Sequence, residues 1–254
     1  MKNFIKGMIS YVIPLRATSR KGEINPYLEV RLERGKHVLN GALMNHSFGK
    51  RKNIFKKVFS KYDFSKRKID KVLILGFGAG SVATILRKYW NIKCLITGVE
   101  LDKAVIELQN KYFDPKRYEP LILIHDDALK FVMNTKDQYD IIIMDVSIEN
   151  NTPYKLMQTQ FIEALSKILS SQGIIFYNKA IESSKHLNEA VKLHVLCNKI
   201  LGETTVEKNW INGYENWIFI HQKLSHANPL VLKRHTEISS NIFASHAKNN
   251  LATQ

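Results

Sequence analysis

Residues 72–80 read Val72-Leu73-Ile74-Leu75-Gly76-Phe77-Gly78-Ala79-Gly80, and a second apolar run ends further along the chain at Glu100. The first run predicts a buried strand, and its glycines let the backbone approach a ligand because no Cβ stands in the way. A helix follows, whose free N–H groups face that ligand. From Gly80 to Glu100 is 100 − 80 = 20 residues, as a βαβ unit requires. The layout predicts a nucleoside-binding crevice in which Glu100 accepts hydrogen bonds from both ribose hydroxyls.

The spacing of the glycines narrows the choice of ligand. Dinucleotide-binding proteins favour G-x-G-x-x-G, but the last position of that pattern is Ser81 here, and the third glycine comes one residue earlier at Gly80. The pattern G-x-G-x-G is the arrangement of the class I S-adenosylmethionine (SAM) methyltransferase fold. A glycine-rich turn without a ligand is the alternative, and the acidic residue at the expected distance argues against it.

Length and composition limit the class of protein. The 254 residues, 44% of them hydrophobic, suffice for one large α/β domain with a small appendage. Cys94 and Cys197 lie in apolar runs and indicate core residues rather than a metal site or a disulfide framework. No apolar run approaches the ~18 residues of a membrane span, and Lys6 interrupts the mildly apolar start, so no signal peptide is predicted. We expect a cytoplasmic protein with no metal and no membrane partner.

The net charge is +15, and part of the excess is concentrated in residues 50–71. Apolar side chains recur there at helical spacing, which predicts an amphipathic helix with a solvated lysine face. The members of its buried face are Ile54, Phe55, Val58, Phe59 and Tyr62. The alternative is a contact with nucleic acid, but no recognised nucleic-acid-binding module accompanies the basic residues.

Three segments are predicted. Residues 1–49 form a small N-terminal β region with a hairpin that turns at residues 34–36. Residues 50–223 form a doubly wound, mostly parallel Rossmann-like sheet, with strands at 72–75, 94–99, 121–124, 141–144 and 174–177. A closing hairpin turns at Asn212-Gly213. Residues 224–254 are polar and without pattern, and we predict a flexible tail.

Acidic residues follow successive strands of the predicted sheet, where ligands of such sheets bind. Glu100 follows the second strand, Asp126 and Asp127 follow the third, and Asp145 follows the fourth. So much negative charge in one crevice lowers the stability of the fold unless a ligand or hydrogen-bond donors compensate for it. We expect Asp127 to accept a hydrogen bond from an adenine amino group, and Asp145 to lie near a sulfonium centre. The alternative for Asp126 or Asp127 is to cap the following helix.

With these motifs, the chain resembles the spermidine synthase-like branch of the SAM-type transferases over residues 27–222. The resemblance is clearest at residues 72–80, 98–102, 127–131 and 139–145, and it continues through Leu156, Met157 and Phe161. It implies a homodimer and a SAM or decarboxylated SAM cofactor. The cofactor-binding residues that it implies are Gly76, Gly78, Gly80, Glu100, Leu101, Asp127, Ala128 and Asp145.

The chain departs from the aminopropyltransferases of that branch at three places. Their first loop resembles G-G-G-D-G-G, whose aspartate holds the amino group of the ligand, and this chain has Ala79 at that position. They carry D-x-x-D after strand four, and this chain has Ile148 as the second member. Their Y-H-E element is absent from the sequence between Gly41 and Asp70. An attacking amine must lose a proton, so these losses argue against polyamine chemistry.

The leading hypothesis is therefore a spermidine synthase-like, SAM-dependent methyltransferase that acts on an unknown small-molecule acceptor. Asp145 is its candidate catalytic residue. One alternative is aminopropyl transfer from decarboxylated SAM to a polyamine. Another is a non-catalytic nucleoside-binding protein. A third is an RNA methyltransferase, suggested by the basic helix.

Overall fold

The computed structural model describes residues 2–41, 52–148, 151–211 and 214–223. The helices are α1 (Lys2–Ile9), α2 (Lys52–Phe59), α3 (Ser81–Trp90), α4 (Lys103–Tyr112), α5 (Ala128–Asn134), α6 (Thr159–Ile168) and α7 (Ser184–Leu201). The strands are β1 (Leu15–Arg20), β2 (Leu28–Glu33), β3 (Lys36–Gly41), β4 (Lys71–Leu75), β5 (Leu95–Glu100), β6 (Leu121–His125), β7 (Tyr139–Met144), β8 (Leu169–Ile181), β9 (Thr204–Ile211) and β10 (Tyr214–Gln222). Short 3-10 helices lie at Phe64–Lys66, Pro115–Tyr118 and Tyr154–Met157. The predicted tail, residues 224–254, lies outside the described residues.

The main sheet has the strand order β6-β5-β4-β7-β8-β10-β9 in the described part of the chain. Strands β6, β5, β4, β7 and β8 run parallel, and β10 and β9 close the edge as an antiparallel hairpin. The strand order reverses between β4 and β7, and the crevice of such sheets opens at that point. The predicted α/β, doubly wound architecture is confirmed, and β9 and β10 pair as predicted; the predicted turn residues Asn212 and Gly213 lie outside the described residues.

Both faces of the central strands are covered, as a parallel sheet requires. One layer packs α5, α6 and α7 against the sheet through side chains such as Phe161, Leu165 and Tyr177. The other layer packs α2 and α3 against it through Phe59, Ile85 and others. The central strands β4 and β7 are therefore apolar over most of their length, whereas β8, β9 and β10 also carry polar residues within the strand.

The N-terminal region is larger than the predicted hairpin. The hairpin of β2 and β3 is present, and β1 pairs with β2 to make a three-stranded antiparallel sheet. Strand β1 has the sequence Leu15-Arg16-Ala17-Thr18-Ser19-Arg20, which lacks an apolar alternation, so the pattern could not predict it. The inner face of this sheet packs on α4 through Leu28, Val30 and Leu39.

Helix α2 confirms most of the predicted buried face of the basic segment, but it ends before Tyr62, which is only partly buried. Ile54, Phe55, Val58 and Phe59 are all at most 3% exposed, and the lysines between them point to solvent. Phe59 meets Phe176 of β8 edge-to-face at 4.9 Å between ring centroids. The aromatic side chains of this helix therefore belong to the core and offer no stacking platform to nucleic acid.

Two details differ from the expected boundaries. The spacing of Phe161, Ile162, Leu165, Ile168 and Leu169 predicts a helix that Gly173 stops, but β8 begins at Leu169, which pairs with Tyr139 of β7. The spacing of Leu187, Ala190, Val191 and Val195 predicts the next helix. Ala190 is buried in α7 together with Leu193 and Cys197, whereas the other three predicted residues are exposed. Within the described ranges, no helix combines the length and the apolarity needed to cross a membrane.

Candidate active site

The glycine loop follows β4 and is built from left-handed backbone. Gly76, Gly78 and Gly80 have φ of 80°, 55° and 78°, a region that side chains other than glycine rarely adopt. A Cβ on Gly76 would lie 2.6 Å from the carbonyl oxygen of Asp145, and one on Gly80 would lie 2.5 Å from the ring of Tyr118. The glycines are therefore required by the fold of the loop itself, in addition to any ligand that it receives.

Glu100 stands at the end of β5, beside this loop, and three backbone N–H groups hold its carboxylate. The N–H of Gly78 donates to Oε2 at 2.9 Å, and those of Leu101 and Asp102 donate to Oε1 at 2.9 and 3.1 Å. Burial raises the pKa of Glu100, and the three hydrogen bonds offset part of that rise. A carboxylate has about four acceptor positions, so acceptor capacity remains for a ribose hydroxyl.

Asp102, two residues further on, joins the main domain to the N-terminal region. It caps α4 by accepting the N–H of Ala104 at 3.0 Å, and it accepts the backbone N–H groups of Glu23, Ile24 and Asn25 at 3.0–3.3 Å. The Asn25 amide adds a bond of 2.8 Å. Burial opposes ionisation of Asp102, but these donors outweigh it and lower the pKa. We call this contact the Asp102 clasp.

Asp127 begins α5 as its N-cap, which is the alternative role that the sequence left open. Its Oδ1 accepts the N–H of Lys130 at 3.2 Å, and its Oδ2 pairs with Lys155 Nζ at 2.7 Å. Burial disfavours the charged carboxylate, but Lys155 and the N–H bonds outweigh that effect and lower the pKa of Asp127. Asp126 accepts the N–H of Asp127 and pairs with Lys130 at 3.2 Å. An adenine amino group would share Asp127 with the exposed Lys155.

Asp145 follows β7 and lies next to the glycine loop. Its N–H donates to the carbonyl of Leu75 at 2.9 Å, which fixes the backbone where β4 and β7 separate. Its Oδ1 accepts the side-chain amide of Asn178 at 2.8 Å. Asn178 lies within β8, directly after the predicted fifth strand at residues 174–177. A polar residue directly after the apolar run 174–177 is the same sequence signal that indicates Asp145 after the run 141–144, and it would have indicated Asn178.

The two departures from the family pattern have different environments. Ala79 is fully buried in the cluster that the N-terminal sheet forms on α4, and its carbonyl accepts the hydroxyl of Tyr118 at 2.9 Å. Its methyl group therefore packs in the protein core. Ile148 is partly buried and exchanges backbone hydrogen bonds of 2.9 and 2.8 Å with Asn151 in the loop after β7. The Y-H-E element is absent from the sequence between Gly41 and Asp70, and residues 42–51 of that span lie outside the described residues.

Glu100, Asp127 and Asp145 all stand at the carboxyl ends of the sheet, as predicted. Leu101 and Ala128 flank Glu100 and Asp127 there, and Ala128 is buried while Leu101 is partly exposed. The strand pairing places Glu100 beside His125, and Met144 beside Leu75 and Tyr177. The geometry thus brings together one glycine loop and three acidic side chains. Their roles toward a ligand stay predictions.

The fold is shared with known methyltransferase-like proteins. Human methyltransferase-like protein 13 in complex with SAH superposes with a TM-score of 0.57, at 17% identity over 73% of this chain and 89% of that chain. A probable spermidine synthase of Corynebacterium glutamicum superposes with a TM-score of 0.71, at 18% identity over 84% of this chain and 82% of that chain. At such identities the likeness shows a class I SAM methyltransferase-like fold.

The family follows from the sequence match. The family described as the spermine/spermidine synthase domain matches residues 59–233, which is more than half of the chain, and the protein belongs to that family. A polyamine aminopropyltransferase of Saccharolobus solfataricus is 31% identical over 161 residues, 59% of this chain and 52% of that protein. This chain therefore spans about half the length of that relative. The predicted family is confirmed, whereas the relatives favour aminopropyl transfer over our leading hypothesis of methyl transfer.

Proposed function

We propose that this protein is a spermidine synthase-type transferase that moves the aminopropyl group of decarboxylated SAM to an amine. The observation that carries the proposal is the family match over residues 59–233, which includes the glycine loop, Glu100 and Asp145. Relatives named polyamine aminopropyltransferase support it. It replaces the leading hypothesis from the sequence, which rested on Ala79 and Ile148.

The crevice has the groups that such a donor needs. The glycine loop would receive the nucleoside, and Glu100 would accept a ribose hydroxyl with the acceptor capacity left by its three N–H donors. Decarboxylated SAM supplies a carbon that is activated by the neighbouring sulfonium. The enzyme then has to orient the amine against that carbon, which requires positioning rather than a metal.

The transfer makes one bond and breaks one. The nitrogen lone pair of the amine forms a C–N bond, the C–S bond breaks, and methylthioadenosine leaves with the electron pair on sulfur. The amine must be neutral when it attacks, so its extra proton has to leave. Asp145 is the proposed acceptor of a hydrogen bond from that amine, with its Oδ1 oriented by Asn178 at 2.8 Å.

The experiment is to incubate the full chain with decarboxylated SAM and putrescine, and to measure methylthioadenosine. We expect release that depends on the amine. Glu100→Gln and Asp145→Asn should each lower it strongly, while the matched change Asp126→Asn, at a neighbouring strand end, should not. Absence of methylthioadenosine with every amine tried would contradict the proposal.

Methyl transfer from SAM is the second candidate. The specific observation that favours it is the combination of Ala79 and Ile148, which leaves two family positions without a carboxylate. A parallel incubation with SAM would decide between the two, because methyl transfer yields S-adenosylhomocysteine whereas aminopropyl transfer yields methylthioadenosine.

A further inference from the structure

A row of side-chain amides crosses the sheet next to Asp145. Asn178 lies on β8, Asn216 on β10 and Asn209 on β9, and these strands are neighbours in the order β7-β8-β10-β9. Asn216 pairs directly with Asn209, and it lies diagonal to Asn178, which pairs with Ile218. Side chains two residues apart share a face of a strand, so the three amides lie on one face. We call them the amide row.

Two members of the amide row are buried, Asn178 is partly buried, and four polar atoms of the row have no hydrogen-bond partner. Asn216 is 1% exposed and Asn209 is 4% exposed. Both polar atoms of the Asn216 side chain, Oδ1 of Asn209 and Oδ1 of Asn178 lack a hydrogen-bond partner in the structure. Leaving buried polar groups unpaired is costly, so such a group needs a reason.

The row begins at the candidate catalytic residue. Asn178 donates to Asp145 Oδ1 at 2.8 Å, so the amides extend outward from the point where an amine would attack. Two strand spacings of ~4.8 Å separate β7 from β10. A short amine that presents its nitrogen to Asp145 would reach Asn216 with its other end.

The charges beside the row argue against a second ammonium group. Among the described strand positions next to the row on this face, the carboxylates are Asp145 at the inner end and Glu207 at the outer end. Glu207 lies two residues before Asn209 on β9, on the same face of the strand, and its carboxylate pairs with Lys61 Nζ at 2.6 Å. A buried ammonium needs a carboxylate partner, whereas a hydroxyl or carboxamide is satisfied by neutral amides.

We propose that the amide row is the acceptor subsite, and that it selects an amine whose far end carries an uncharged hydrogen-bonding group. The inference rests on the proposed aminopropyl transfer and specifies its acceptor class. An amide can present either its oxygen or its NH2 group, so the row can meet a hydroxyl or a carboxamide as donor and as acceptor. The acceptor would then differ from a symmetrical diamine.

The test compares three amines of equal chain length, 4-aminobutan-1-ol, 1,4-diaminobutane and butylamine. Methylthioadenosine release is measured for each, and binding is measured by calorimetric titration of the full chain with methylthioadenosine present. We expect 4-aminobutan-1-ol to exceed both others by about tenfold, the effect of one unpaired buried polar group.

Variants assign the effect to the row. Asn216→Leu removes the amide at similar volume and should abolish the advantage of 4-aminobutan-1-ol over butylamine. Because the variant replaces an unpaired amide by an apolar group, its thermal unfolding midpoint should be unchanged or higher. Asn216→Asp should shift the preference toward 1,4-diaminobutane. Asn134→Asp, an exposed change of the same charge on α5, is the matched control and should leave the preference unaltered.

The outcomes separate this inference from the function on which it rests. Methylthioadenosine release with 1,4-diaminobutane as the preferred amine would overturn the inference and leave the proposed function standing. If no amine leads to methylthioadenosine release, the proposed function is overturned. The calorimetric binding of the three amines then tests the amide row independently of turnover. Equal binding of all three amines, or binding unchanged in Asn216→Leu, would overturn the inference in either case.

Discussion

Glu100 is the residue that we propose to bind the ribose, and its position affects its ionisation. Burial raises the pKa of Glu100, and the N–H groups of Gly78, Leu101 and Asp102 keep the carboxylate oriented. A ribose hydroxyl is accepted best by the ionised carboxylate. We therefore expect the affinity for a nucleoside to depend on pH through Glu100.

The first prediction is a pH profile of methylthioadenosine binding by the full chain. Because the pKa of Glu100 is raised above the ordinary 4.5, acidification should weaken binding at a higher pH than for an ordinary glutamate. Glu100→Gln should bind about tenfold more weakly or worse at neutral pH, and should lose this pH dependence. A profile that is unchanged in Glu100→Gln would exclude Glu100 as the group that titrates.

The second prediction concerns Ala79, where the family pattern has an aspartate. Since Ala79 is fully buried among apolar side chains, Ala79→Asp should bury an unpaired carboxylate and lower the free energy of unfolding by about 3 kcal/mol or more. Urea unfolding measures this, with the exposed Ala17→Asp as the control. If Ala79→Asp were as stable as the parent and bound decarboxylated SAM more tightly, Ala79 would instead face the crevice.

At the scale of elements, most of the helices and strands that a regular spacing of hydrophobic residues can indicate were predicted from the sequence. The strands of the parallel sheet and α3 (Ser81–Trp90) follow from apolar runs and breaks. Strand β1 could not be predicted because its residues carry no alternation, and the start of β8 at Leu169 is set by pairing with Tyr139 across the sheet. Helix α7 carries two apolar stripes, and local pattern does not say which one is buried.

The candidate site was predictable to a similar extent. Strand ends and spacing placed Glu100, Asp127 and Asp145 at one edge of the sheet. Their partners, Lys155 for Asp127 and Asn178 for Asp145, come from distant segments of the chain. Such contacts depend on tertiary packing, which local sequence patterns do not specify.

The third prediction tests the junction between the two sheets. A Cβ on Gly22 would lie 2.2 Å from Asp102 Oδ2, so Gly22→Ala should force the loop off the Asp102 clasp. We expect a loss of about 1–3 kcal/mol in the free energy of unfolding, as for other overpacked sites. Gly7→Ala is the matched control, because nothing lies within 4 Å of its added methyl group. Equal stability of the two variants would mean that the clasp yields without cost.

On the scale of the whole molecule, the net charge of +15 affects an amine acceptor and an RNA acceptor in opposite directions. A positively charged protein repels an ammonium substrate and attracts RNA. The aromatic face of α2 packs in the core, so this basic helix offers RNA no stacking surface.

The fourth prediction is the response of turnover to salt. Raising the salt concentration screens the repulsion, so kcat/KM for an amine acceptor should hold steady or rise. An RNA acceptor held by several phosphate contacts would instead lose affinity steeply over the same range. Measuring methylthioadenosine release across a salt series, with constant pH, separates the two; a steep fall with an amine would contradict the small-molecule assignment.

Through the Asp102 clasp, we expect the N-terminal region to respond to ligand binding in the crevice. Glu100 and Asp102 are two residues apart, and the N–H of Asp102 is itself a donor to Glu100. Thermodynamic linkage is reciprocal, so a nucleoside that orders Glu100 should also slow amide hydrogen exchange at Glu23, Ile24 and Asn25. Loosening the loop at residues 23–25 should in turn weaken nucleoside binding by the same factor. The small sheet would then act as a sensor of whether the crevice is filled.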